Sequence, residues 1–118
     1  MAGGVSIHVV DVSRGVVATG MHVEVHATTP ERTLLCAGEV NAKGLLDAPV
    51  LMSETMQPGY YEAVFHVSAY YRLNGVALPE YPFLDVVTYR FAVGDLAQHY
   101  HLPMKLTPWG YSCFRGGA

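Results

Sequence analysis

The order of polar and apolar positions along this chain reads as a succession of short strands. Val5-Ser6-Ile7-His8-Val9-Val10-Asp11-Val12 is rich in β-branched residues, and Ser13-Arg14-Gly15 ends it with turn residues. Met21 to Thr28 alternates apolar and polar side chains, the period of a strand with one wet face. Thr29-Pro30-Glu31 turns the chain into a strand over Thr33–Val40, and Asn41-Ala42-Lys43-Gly44 leads to a short strand at Leu45–Ala48 that Pro49 stops. Tyr60–Val67, Phe83–Val93, Gln98–Leu106 and Trp109–Phe114 complete eight strands. Between the fifth and sixth, Ser68 to Gly75 predicts the single helix, with Ser68 as cap, Leu73 on the face of Ala69 and Tyr70, and Asn74-Gly75 as stop. Eight strands at even spacing predict an all-β, antiparallel β-sandwich.

Composition narrows the partners. At 118 residues the chain is one domain, 1–118, large enough for its own core. Its 51% apolar and 14% charged residues exclude disorder and predict that part of the surface is covered by another subunit. Seven Lys and Arg under a net charge of −3 form no clustered basic face, so neither nucleic acid nor an anionic membrane is an expected partner. The start Met1-Ala2-Gly3-Gly4 lacks a basic leader region and no run reaches about 20 apolar residues, so a cytoplasmic location is expected. Cys36 and Cys113 have no paired spacing and read as reduced thiols, with nothing local to mark Cys113 as a nucleophile.

The end of the chain concentrates the chemistry. His99-Tyr100-His101-Leu102-Pro103 places two imidazoles two residues apart, on one side of a strand. Thr107-Pro108-Trp109-Gly110-Tyr111-Ser112 and Phe114-Arg115-Gly116-Gly117-Ala118 follow. Zinc on His99 and His101 lacks a third ligand at a compatible offset, so no metal is expected. His22, His26 and His66 read as satisfied or solvent-facing strand histidines.

With the N-terminal Ser6-Ile7-His8-Val9-Val10-Asp11 run, Asn41-Ala42-Lys43-Gly44, Pro58-Gly59-Tyr60-Tyr61 and Pro82-Phe83-Leu84, this ending resembles the transthyretin-related proteins, whose enzymatic branch is 5-hydroxyisourate hydrolase. The resemblance runs through the whole chain, in order. It implies a homotetramer, a dimer of dimers with active sites in the channel between the dimers, and hydrolytic opening of a ring amide in an oxidised purine without a cofactor.

Carried over by motif, the family's catalytic histidines fall on His8 and His101, and Arg115 and Gly116 fall on its terminal Tyr-Arg-Gly-Ser. Three positions depart: Leu45 stands where the family has an arginine, Phe114 replaces the tyrosine and Gly117 the serine, with Ala118 added. Amide hydrolysis needs a water deprotonated, an oxyanion stabilised and a leaving nitrogen protonated. Two imidazoles can supply base and acid at neutral pH. His8 and His101 are therefore expected to handle the protons, and Arg115 with the Gly116-Gly117 amides to bind the ring carbonyls.

The departures all run from polar to apolar or from larger to smaller. An arginine suits an ionisable ring, whereas Leu45 and Phe114 suit methyl groups, each worth about 0.8 kcal/mol when buried. They point to an N-methylated 5-hydroxyisourate, as would arise from trimethyluric acid in caffeine breakdown. Ordinary 5-hydroxyisourate and a non-catalytic small-ligand carrier are the alternatives.

Overall fold

The computed structural model describes residues 3–52 and 56–117. Its elements are β1 (Val5–Asp11), β2 (Val16–Val17), β3 (His22–Ala27), β4 (Thr33–Glu39), a 3-10 turn (Pro49–Met52), β5 (Gly59–His66), α1 (Val67–Leu73), β6 (Val86–Val93), β7 (Tyr100–Thr107) and β8 (Gly110–Cys113). Two four-stranded sheets result, ordered β2-β1-β7-β8 and β4-β3-β5-β6. The all-β sandwich with one helix expected from the pattern is what forms.

Its membership differs in two places. Leu45 and Leu46 make only isolated bridges, to His8 and Val40, so the expected strand at Leu45–Ala48 is absent as a strand. The eighth strand is instead β2, a two-residue ladder on β1. The antiparallel expectation also has one exception: β1 and β7 pair in parallel, from Val5 opposite Tyr100 to Asp11 opposite Leu106. Parallel pairing suits two strands from opposite ends of the chain, which no tight turn has to join.

Between the sheets lies the core. Val5, Ile7 and Val9 of β1 and Leu102, Met104 and Leu106 of β7 face Val23, Val25, Ala63 and Phe65 of the other sheet, all buried. Alternation along both strands then sends Ser6, His8, His101 and Pro103 outward.

The helix is fixed from within. Asp11, fully buried, accepts hydrogen bonds from the hydroxyls of Tyr70 (2.9 Å) and Tyr71 (2.8 Å), and Ser13 adds a third at 2.6 Å. Burial raises the pKa of both tyrosines, so they stay protonated donors. Ser68 does not cap the helix as its sequence suggests: its hydroxyl bonds the Asp85 carboxylate, while the Asp85 carbonyl accepts the N–H groups of Val67 and Ser68. Leu73 faces solvent at 74% exposure, because the buried face runs through Val67, Tyr70 and Tyr71.

Candidate active site

The outward face of the β2-β1-β7-β8 sheet carries the candidate chemistry. Parallel pairing sets Ser6 opposite His101 and His8 opposite Pro103, so His8 and His101 stand one rung apart, roughly 7 Å along the strands. Residues at the two ends of the chain thus meet on adjacent strands.

Three hydrogen bonds fix how these imidazoles hold their protons. His99 Nδ1 lies 2.7 Å from the Gly3 carbonyl, His99 Nε2 lies 2.8 Å from Ser6 Oγ, and Ser6 Oγ lies 2.7 Å from His101 Nδ1. A carbonyl only accepts, so His99 Nδ1 carries the hydrogen, and with a single hydrogen on the ring its Nε2 accepts. Ser6 must then donate to His99 and accept from His101 Nδ1–H. The free lone pair of His101 is therefore at Nε2.

The electrostatics agree. Partial burial lowers the His101 pKa, and the neighbouring His8 and His99 lower it further, since a charge there would face other imidazoles. His101 is a neutral base at neutral pH. Across the rung, His8 Nε2 donates to the Lys43 carbonyl at 3.2 Å, leaving Nδ1 as its second proton-handling atom.

The turn before Leu45 wedges that histidine. Gly44 has φ +84°, and a Cβ there would lie 2.7 Å from His8 Nε2. Leu45 forms a bridge to His8 and is 36% exposed, so the structure places this residue, expected at the substrate pocket from the family resemblance, beside His8.

The terminal segment corrects one expected contact. β8 leaves Cys113 opposite Met104, and the Gly116 N–H donates to the His101 carbonyl at 2.7 Å, so residues 114–116 continue along β7. Alternation puts Phe114 and Gly116 on the histidine side: the Phe114 ring lies 5.8 Å from Lys105 Nζ, and a Cβ on Gly116 would meet His101 at 3.0 Å. Arg115 goes the other way. Its guanidinium lies 4.1 Å over the Tyr100 ring and donates to Gln98 Oε1 at 2.9 Å, away from the paired histidines. The Gly116 amide is likewise engaged with backbone and not available to a substrate carbonyl. A Cβ on Gly117 would meet nothing within 4 Å, so the loss of a side chain there frees no crowded space.

Ser6 is the participant that sequence reasoning missed. A serine in a strand carries no signal until its partner across the ladder is known. Cys113 is not a competing nucleophile, because burial pushes its thiol up to about 11.

Fold and site together define a class: a two-sheet sandwich whose outer face joins histidines from both ends of the chain around a hydroxyl. Residues 5–116 match the sequence model of the HIUase/transthyretin family, and the chain belongs to that family. It is 43% identical over 114 residues to the 5-hydroxyisourate hydrolase of Deinococcus radiodurans, covering 96% of this chain and 95% of that one. Among solved structures, Klebsiella pneumoniae 5-hydroxyisourate hydrolase superimposes with a TM-score of 0.79 at 25% identity, over 98% of this chain and 99% of that one. (S)-Allantoin synthase gives 0.90 at 30% identity over 98% of this chain, which spans 44% of that longer protein. The chain is accordingly an enzyme of hydrolase type. No helix among its described residues is long and apolar enough to cross a membrane.

Proposed function

We propose that this protein opens the ring amide of 5-hydroxyisourate by hydrolysis. The observation that carries the reading is the donor order Gly3–His99–Ser6–His101, which leaves the lone pair of His101 Nε2 on the face shared with His8. His101 Nε2 takes a proton from water as the water oxygen bonds to the ring carbonyl carbon. The C–N bond then breaks and the same proton goes to the departing ring nitrogen, so the imidazole ends neutral. His8, with its Nε2–H on the Lys43 carbonyl, orients water and substrate. The 5-hydroxyisourate hydrolases among its relatives support the substrate class.

A second reading, favoured by Leu45 beside His8 and Phe114 on the same side of the sheet, is an N-methylated 5-hydroxyisourate. Methylation removes the ionisable N–H groups that an arginine would pair with. Leu45 offers methyl groups an apolar wall instead.

Both readings are proposed for a homotetramer. β6 and β8 are sheet edges with no outer strand among the described residues, and Trp109, Tyr111 and Phe114 lie exposed on or beside β8. Facing copies would enclose an otherwise open site.

One experiment tests the function and divides the substrates. Freshly generated 5-hydroxyisourate and its trimethyl derivative are each followed by ultraviolet absorbance, with spontaneous decay subtracted. Acceleration of either one, abolished by His101→Ala, is expected; acceleration of neither overturns the proposal. The faster substrate decides between the two readings.

A further inference from the structure

On the opposite outer face of the molecule, β3 and β5 assemble a second cluster of imidazoles. His22, Glu24 and His26 point outward from alternate positions of β3, and His66 comes from the end of β5. Glu24 Oε2 lies 2.8 Å from His66 Nε2 and 3.5 Å from His22 Nε2, and Glu24 Oε1 lies 2.9 Å from His26 Nε2. The ligand atoms of His22, Glu24 and His66 all lie within 4.8 Å of one another. We propose that His22, Glu24 and His66 form a binding site for a divalent transition-metal ion of the zinc class.

Proton accounting gives the first reason. His22 Nδ1 lies 2.9 Å from Glu39 Oε2, a carboxylate that only accepts, so Nδ1 carries the hydrogen. The other ring nitrogen, Nε2, faces a second carboxylate oxygen, Glu24 Oε2, at 3.5 Å. His22 therefore lies between two carboxylates, an electronegative setting that a cation at Nε2, a proton or a metal ion, would satisfy.

Geometry gives the second. Ligands at about 2.1 Å around a tetrahedral zinc stand roughly 3.4 Å apart. The two carboxylate–imidazole separations, 2.8 and 3.5 Å, lie on either side of that edge, and all three ligand atoms fall within 4.8 Å of one another, so side-chain rotation is what the site needs to admit an ion.

Outer support is already present. Glu39 orients His22 from behind, in the carboxylate–histidine arrangement that steadies metal ligands, and His26 holds the other oxygen of Glu24. The strands are in hydrogen-bonded register, with His22 opposite Glu39 and Val23 opposite Phe65, so the ligands ride on a rigid surface. The three ligand side chains are 40%, 26% and 30% exposed, which lets water complete the coordination. This cluster shares no residue with the His8–His101 face.

The test uses the full-length protein stripped with a chelator, then titrated with Zn2+ by calorimetry and with Co2+ by visible absorption. One ion per chain is expected, with Co2+ bands of a low-coordinate N/O site. Glu24→Gln and His66→Ala should each weaken Zn2+ binding at least tenfold, and Glu39→Gln less, while hydrolysis by the stripped protein persists. Paramagnetic shifts from Co2+ in the wild-type amide spectrum, centred on β3 and β5, locate the ion without any variant. Absence of one-to-one uptake, shifts centred on His99 and His101, or unchanged affinity in both ligand variants would overturn the site.

Discussion

Ser6 Oγ stands 2.7 Å from His101 Nδ1, although 95 residues separate the two in sequence. The parallel ladder that makes them neighbours also decides which imidazole nitrogen remains free, so backbone register and proton chemistry are one arrangement. Ser6→Ala should lower kcat by about tenfold to a hundredfold, less than the 10²–10⁴ associated with a whole general base. KM should hold and Ser6→Thr should restore the rate. An equal loss in KM alone, or none at all, would show that the hydroxyl does not set the tautomer.

The pH profile should carry the same signature. Because the folded-state pKa of His101 is lowered, its basic form persists to lower pH than in a free imidazole and is lost only as pH falls through that lowered value. The acidic limb of kcat/KM is therefore expected below the ordinary 6.5, and a limb above it contradicts His101 as the base.

Leu45→Arg returns a cation to the edge of the site beside His8. It should raise the kcat/KM ratio of unmethylated over trimethylated 5-hydroxyisourate, by about fourfold for each methyl group that loses apolar contact. An unchanged ratio in a folded variant removes Leu45 from the substrate surface.

Gly44→Ala tests the wedge under His8. Its φ of +84° is costly for any residue with a Cβ, by about 1–2 kcal/mol, and the added carbon would sit 2.7 Å from His8 Nε2. Both the urea midpoint and kcat should fall. A loss of stability without a loss of rate would show that His8 tolerates displacement.

Tyr71→Phe addresses the buried carboxylate. Removing one of the donors to Asp11 should cost about 1–3 kcal/mol in urea unfolding with the m-value unchanged. Activity at low temperature should survive, since Asp11 points into the core while His8 points out.

Much of this was readable from residue order alone. The alternation of Met21 to Thr28 forecasts β3 to within a residue at each end. Short-range signals have limits, however. Val16 and Val17 are too few to show a period, so β2 escapes notice, while Leu45 and Leu46 look like a strand but lack a continuous partner. Arg115 is expected to bind substrate because the family resemblance places it on the terminal motif. Its position between Phe114 and Gly116 in an extended segment turns it to the other side. Ser6 and His66 acquire meaning only from their partners across the ladder and across the sheet, and those partners depend on topology that residue order does not contain.

The parallel pairing of β1 with β7 has a consequence for synthesis. A growing chain presents Ser6 and His8 almost at once, yet the lone pair at His101 Nε2 is aligned only after β7 has been made and has docked beside the first strand. Such distant pairing is slow to form. On the proposed mechanism, activity would be a property the polypeptide gains last, and hydrolysis of substrate would double as a report that β1 and β7 have met.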